Sequence, residues 1–504
     1  MIGGAPKGSQ SEETSNSLGG ASADAHQVKT QRLPSFPRFA FLPCGMNEHE
    51  HDHTLSPNLR SWVESANDPT TDFPPQNLPL CSFINPQTED AGIGMRIGDK
   101  IVQLSVLHDA GLIDDGDHHN HNLCEAVQMP TLNYLLREGP QVLSDLRRRV
   151  QNFILEGDAG GQSMRRLRQK ALVSADEVMF LPPSMPANYT DFYASVHHAT
   201  TVGSMFRPEN PLLPNYKYVP IGYHGRASSI VPSGITFPRP KGQTKKDDAP
   251  GAPFTPPTFG PSAMMDYELE MGVIIAEGND LGEPIAIKDA RKHMAGLTLV
   301  NDWSARDFQK WEYQPLGPFL AKNFATSVGD CMVTMDALAP FRCAAYARPA
   351  GDPAPLDYLF DEQDQKLGGF DITLEVSIRT KQMREKNMMP FVTCTGRAFR
   401  EMYWTLAQLV THHTSNGCPL QPGDLIASGT ISGPASSERG CLLESTWQGR
   451  DAEGKVKPRK AIELPSGEKR IFLEDGDEVI LRGWCEREGY RRIGFGRCAG
   501  MIEG

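Results

Sequence analysis

No stretch of the 504 residues approaches 18 consecutive apolar positions, so nothing in the chain reads as a membrane-spanning helix. Cysteine is sparse. Ten cysteines are scattered singly from Cys44 to Cys498 with no CxxC pair, which excludes a disulfide scaffold and a thiolate zinc site and suits a reducing cytosol. Positive charge is in deficit as well: a net charge of −12 argues against binding of nucleic acid or an anionic membrane and points to small-molecule partners. Three familiar motifs are missing, namely GxSxG, GxxxxGK[ST] and a GxGxxG between strand and helix. Common serine hydrolases, P-loop nucleotidases and dinucleotide enzymes therefore drop out. The opening "MIGGAPKGSQSEETSNSLGG" lacks a signal-peptide core, and Glu12, Glu13 and Asp24 argue against a transit peptide. A soluble cytoplasmic protein is expected.

What is present divides the chain. Residues 1–60 are rich in Ser, Gly, Ala and Pro without periodicity and are expected to form a disordered extension. The HExxH letters at His49–His53 need a helix to serve as a zinc site, and the flanking Pro43, Gly45 and Pro57 deny one. Alternation in "GIGMRIGDKIVQLSVL" predicts a hairpin turning at Gly98-Asp99. Pro140 is placed to open an amphipathic helix through Val142, Leu143, Leu146, Val150, Phe153 and Ile154. A small α+β domain is expected over 61–181, with His118, His119 and His121 in a solvated loop. From residue 182 to 504 the pattern changes to many short strands broken by Gly and Pro. One helix is predicted in "REMYWTLAQLVTHHTSNG", stopping at Asn416-Gly417. Residues 238–261 are expected as a long surface loop, and the basic run "KVKPRK" at 455–460 as a solvated insertion.

The stretch "MMDYELEMGVIIA" sets Asp266, Glu268 and Glu270 at alternate positions before an apolar run. On a strand these carboxylates share one face, which must look into water or close on a cation, since like charges on one face repel. Polar, aromatic and acidic residues also crowd into "YTDFYASVHHATTVGSMFRP", "NDWSARDFQKWEYQPLGPFLAKNFAT" and "ASGTISG".

Together with "DFPPQNLPL" and "VPIGYHGRASSIV", these segments resemble the fumarylacetoacetase family over roughly residues 62–504. The resemblance implies a mainly β (α+β) fold, with a small SH3-like β-barrel domain followed by a larger mixed β-sandwich-roll catalytic domain. It implies metal-dependent hydrolysis of a carbon–carbon bond in a β-diketo acid, with acylpyruvase, hydratase or decarboxylase activity on the same fold as the alternative. A calcium-binding scaffold without catalysis would have no reason to keep a base. By the same resemblance, Asp191, Glu268, Glu270 and Asp302 would hold calcium, and Lys322 and Thr326 would lie beside a structural magnesium. His198 would be the general base oriented by Glu444. Arg306, Gln309 and Lys322 would stabilise the alkoxide, and Tyr193, Arg207, Tyr223, Gln309, Tyr313 and Thr430 would contact substrate. Asp266 is expected as a solvated or helper carboxylate and His197 as structural. A homodimer is implied. Val196, where the family commonly has a basic residue, and a longer 440–475 region depart from its pattern.

Overall fold

The computed structural model describes residues 52–113, 121–157, 161–248 and 252–504. His49, Glu50 and His51 of the HExxH letters, and His118–Asn120 of the histidine run, lie outside the described residues. So does most of the expected extension.

The N-terminal region is built on a five-stranded antiparallel sheet in the order Leu172–Ser174, Lys100–Gln103, Ala91–Ile97, Leu80–Ile84, Met179–Leu181. Its hairpin turns where predicted, because Gly98 at φ 55° accepts a conformation that side chains resist. The two edge strands are joined by only residues 175–178. Such a link spans at most about 17 Å, less than the roughly 19 Å width of a flat five-stranded sheet, so the sheet must roll up. The helix Pro140–Ile154, opened by its proline, shares this region's core, burying Leu143, Leu146, Val150 and Ile154. Each such side chain contributes about 1.5–3 kcal/mol by leaving water.

Residues 52–60, expected as the end of the extension, are instead tethered to the body at Thr54 and Ser56. Asp52 caps a short 3-10 turn at His53–Leu55, Thr54 is buried, and its hydroxyl accepts 2.8 Å from the buried Arg147 guanidinium. Gln151 donates to the Thr54 carbonyl and Gln76 to that of Ser56. Apolar periodicity misses this because the anchors are polar. A chain lacking residues 1–58 should therefore melt a few degrees below one lacking 1–51, since a buried guanidinium donor left without acceptor costs about 1–3 kcal/mol. Equal midpoints in a thermal melt would refute the anchoring.

The C-terminal half centres on an eight-stranded mixed sheet. Its path runs Gly222–Gly225, Tyr189–Phe192, Leu425–Ala427, Leu269–Ile275, Met294–Asp302, Thr326–Val328, Ile230–Pro232, with Val333–Thr334 also paired to Met294–Asp302. Alternation sorts its two faces. Phe192, Met271, Val273, Leu297, Leu299 and Ile426 enter one core, shared with the second sheet of Phe391–Gly396, Thr373–Arg379, Glu478–Cys485, Ile493–Ile502 and Ile235–Phe237. Tyr189, Ile274, Val300, Val328, Leu425 and Ala427 enter the core of the N-terminal region. Two further expectations are corrected. The predicted long loop at 238–261 contains a strand pair, Lys241–Thr244 with Thr258–Pro261. The predicted helix around residue 406 starts only at Leu406, because Thr405 and Gln408 form a capping box that leaves Met402 outside.

Candidate active site

The strand Tyr189–Phe192 delivers the chain to Ser195, whose hydroxyl accepts from the His198 backbone N–H at 3.3 Å and so caps the helix Val196–Phe206. His198 sits in the first turn, buried, with Nδ1 2.6 Å from Glu444 Oε2. His197 points elsewhere, toward Tyr346 and Glu401, as one residue's rotation along a helix requires. Glu444 lies in the short helix Leu442–Ser445 and accepts a second bond from Ser432 Oγ at 2.6 Å. Burial opposes its ionisation, but the His198 imidazole, the two hydrogen bonds and Arg439 outweigh that and hold its pKa below the usual value. Ser432 is reached because Gly429, at φ 75°, turns the chain against Phe192, where a Cβ would meet the Phe192 carbonyl at 2.0 Å.

The alternating acids do not form one continuous strand. Met265–Asp266 pairs with Ser304–Ala305, the regular ladder breaks at Tyr267 and Glu268, and a second strand begins at Leu269. Glu268 and Glu270 nevertheless converge with Asp191 and Asp302. One ligand oxygen from each of the four lies within 4.8 Å of the others, and all four residues are buried. Asp191, Glu270 and Asp302 lie on the sheet face that continues into Tyr189, Ile274 and Val300, beyond the edge of the N-terminal core.

The cations present do not balance this charge. Arg306 Nη1 donates to Glu268 Oε1 at 2.7 Å, and Lys322 Nζ bridges Glu268 and Asp302 Oδ2, the latter at 2.8 Å. Burial disfavours the charged form of Glu268, yet Lys322 and Arg306 keep its pKa well below the carboxylate range. Burial and then Asp191, Asp302 and Glu268 push Glu270 the other way, well above it; burial and Asp302 do the same to Asp191. Among the described residues neither Glu270 oxygen has a hydrogen-bond donor, nor does Asp191 Oδ1. A buried four-carboxylate group with orphaned oxygens fits a hard, oxygen-liganded divalent cation. The cationic alternative left open by the acid pattern is thus the one the geometry supports.

Other expected residues gather here with specific partners. Tyr223 donates to Asp302 Oδ2 at 2.8 Å, and Thr326 donates to Asp302 Oδ1 at 2.9 Å. Among the described residues no second carboxylate cluster lies beside Lys322 and Thr326; both address the first. Gln309 Oε1 accepts from Arg306 Nη1 at 3.0 Å, while the buried Arg306 Nη2 has no acceptor. Tyr193 stacks edge-on at 5.3 Å from His198, and Tyr313 lies 5.6 Å from Phe206 at the helix end, next to Arg207. Arg207 Nη2 donates to the Pro211 carbonyl, and its buried Nε has no partner. Thr430 is buried beside Gly440.

Asp266 is not solvated. It is fully buried, accepting from Arg306 Nε at 2.9 Å and from the backbone N–H groups of Leu442 and Leu443 at 2.8 and 2.9 Å. It thereby ties the Glu444 helix to the arginine that holds Glu268. This is the helper role of the two expected for it, whereas Ser195 and Ser432 were missed. Only Asp266 carried a signal, as the first acid of the alternating set; two serines separated by 237 positions carry none.

The sequence profile described as Fumarylacetoacetate (FAA) hydrolase C-terminal matches residues 187–502, and that described as Fumarylacetoacetase N-terminal matches residues 76–183. The chain is similar to fumarylacetoacetase of Bos taurus, 45% identical over 446 residues that cover 88% of this chain and 98% of the relative. The Homo sapiens fumarylacetoacetase is 44% identical over 444 residues with the same coverage. Among solved structures, a fumarylacetoacetate hydrolase from psychrophilic Exiguobacterium antarcticum aligns at 16% identity and a TM-score of 0.43, over 85% of this chain and 99% of that one. With both profiles matched in order and relatives aligned along almost their whole length, the chain belongs to the fumarylacetoacetase family.

Proposed function

We propose that this protein hydrolyses the carbon–carbon bond of 4-fumarylacetoacetate to fumarate and acetoacetate, the last step of tyrosine and phenylalanine breakdown. The observation that carries the reading is the His198–Glu444 pair at 2.6 Å, linked through Asp266 and Arg306 to the four-carboxylate group. The 45% identity to a fumarylacetoacetase supplies the substrate.

His198, with Nδ1 committed to Glu444, takes a proton from water at Nε2. The hydroxide oxygen bonds to the ketone carbon, and Arg306, Gln309 and Lys322 donate to the alkoxide that forms. The carbon–carbon bond then breaks, its electron pair leaving with the acetoacetate carbon, to which the imidazolium returns the proton. Asp191, Glu268, Glu270 and Asp302 would hold calcium, which when bound supplies Lewis-acid polarisation of a chelating dicarbonyl. A structural magnesium near Asp302 could use the Thr326 oxygen; an ammonium cannot ligate a dication, so Lys322 would contribute there only by its backbone carbonyl. Tyr193, Arg207, Tyr223, Tyr313 and Thr430 would line the substrate pocket, with the Arg207 fork suited to a terminal carboxylate.

We also read the rolled N-terminal sheet as an SH3-like barrel over 61–181, the catalytic β-sandwich-roll as 182–504, and the assembly as a cytoplasmic homodimer. Leu316 and Phe319, 95% and 68% exposed, offer apolar surface for a second copy. No helix among the described residues is long and apolar enough to cross a membrane.

The test is to incubate the purified protein and calcium with fumarylacetoacetate and, separately, acylpyruvates, and to identify products. Turnover of acylpyruvates alone would favour the alternative reading. Lys322→Met should lower turnover about 10²-fold while leaving affinity for acetoacetate almost intact, because the alkoxide exists only after attack. Arg207→Met should mainly raise KM. Metal content must be measured alongside, since Lys322 also neutralises Glu268 and Asp302. Equal loss of product affinity and turnover in Lys322→Met would make it a substrate-binding cation.

A further inference from the structure

The basic run at 455–460 is not uniformly solvated. Lys455, Lys457 and Lys460 are exposed, whereas Arg459 is withdrawn from solvent. The run closes a small excursion in which the Asp451 N–H donates to the Lys455 carbonyl at 2.9 Å and the Lys457 N–H to the Gly449 carbonyl at 3.0 Å. Two arginines on this excursion reach back to the two helices that carry the base and its partner. Arg459 Nη1 donates to the Leu443 carbonyl at 2.7 Å and to Thr446 Oγ1 at 2.9 Å, and the Lys460 N–H donates to the Thr446 carbonyl at 2.9 Å. The guanidinium rests over the rings of Phe472 and Trp447, and Nη2 contacts Met205 Sδ at 4.0 Å. Arg450 Nη2 donates to the Met205 carbonyl at 3.0 Å.

Met205 lies at the end of the His198 helix, and Leu443 immediately precedes Glu444. Cations at helix C-terminal carbonyls are favourable in themselves, but here one segment caps both helices and so sets their separation. The Glu444 helix is then held from two sides, by Asp266 at its first N–H groups and by Arg459 at a carbonyl. A base pair separated by 2.6 Å leaves little tolerance, since misplacement by about 1 Å can cost roughly 10²-fold in rate.

We propose that Arg459, assisted by Arg450, is a positioning residue for the His198–Glu444 pair, with segment 449–460 acting as a strap between the two helices. This rests on the hydrolase reading above. Arg459→Met, which keeps the stem and removes the donors, should lower kcat about tenfold with KM changed by less than about twofold. Arg459→Lys should recover most of the loss. In a Glu444→Gln background Arg459→Met should cost almost nothing more, because no ionised pair remains to be held. Lys457→Ala, in the same basic run but exposed, should behave as the parent. An unchanged kcat in Arg459→Met, or the same tenfold loss in the Glu444→Gln background, would overturn the proposal. If Arg459→Met fails to fold, Arg450→Met, which removes the bonds to the Met205 and Gly454 carbonyls, is compared in the same two backgrounds. Failure of the hydrolase reading is distinguishable: the parent protein would then not turn over fumarylacetoacetate at all.

Discussion

Glu270→Gln should weaken divalent-ion binding by roughly 10²-fold or more and abolish most turnover, while leaving the metal-free fold at least as stable as the parent. The two halves of this result have one cause. Glu270 is the carboxylate of the four for which the protein itself does least, with both oxygens buried and without a donor. A neutral amide cannot replace a charged ligand of a dication, so affinity falls steeply. In a chelator the same change removes a group whose ionised form is opposed by burial and three neighbouring acids, so nothing favourable is lost. Glu268→Gln should also lose metal and activity, but it should cost metal-free stability too, because Arg306 and Lys322 would lose a buried partner. Thermal melts with and without calcium, together with metal content, check both. Wild-type metal content and activity in the Glu270 variant would sink the cation site.

For His198→Ala the expected result is a fold and metal content like the parent's and a turnover number lower by roughly 10²- to 10⁴-fold, the usual worth of a positioned general base. Among the described residues the His198 side chain makes one hydrogen bond, to Glu444, and the Glu444 carboxylate keeps Ser432, so the lesion is confined. Glu444→Gln should lose part of the same factor. The double variant should be little worse than His198→Ala, since the two residues act as one unit. Additive losses in steady-state kinetics would break the pair, and loss of metal from His198→Ala would mean that the histidine serves the carboxylate group instead.

The parts of this molecule that could be read beforehand are those in which local chemistry and tertiary role coincide. Gly98-Asp99 turns a hairpin because of its own backbone freedom, and Pro140 opens a helix because its missing N–H costs nothing there. The four carboxylates were legible through family resemblance, and half-legible without it, since a run of alternating acids needs an explanation wherever it falls. Between a solvated and a helper role for Asp266 the choice could not be made beforehand, because its partners, Leu442 and Leu443 N–H and Arg306, come from segments 40 to 177 residues away. The anchoring of Thr54 by Arg147, 93 residues apart, failed for the same reason. Composition reports whether a segment can build its own core. It says nothing of a polar residue completing another segment's hydrogen bonds.

The sheet face shared between the N-terminal core and the carboxylates constrains how this protein can change length over evolution. Along the central strands Ile274 and Val300 fill space for one half of the molecule, while Glu270 and Asp302, at even-numbered separations from them, belong to the four-carboxylate group. Inserting or deleting one residue within Leu269–Ile275 or Met294–Asp302 would invert every side chain beyond it, turning acids into an oily core and hydrocarbon into the carboxylate group. Substitutions there can be absorbed one at a time. Changes of length cannot, and they are free to accumulate where no face is shared, as around the exposed Lys246.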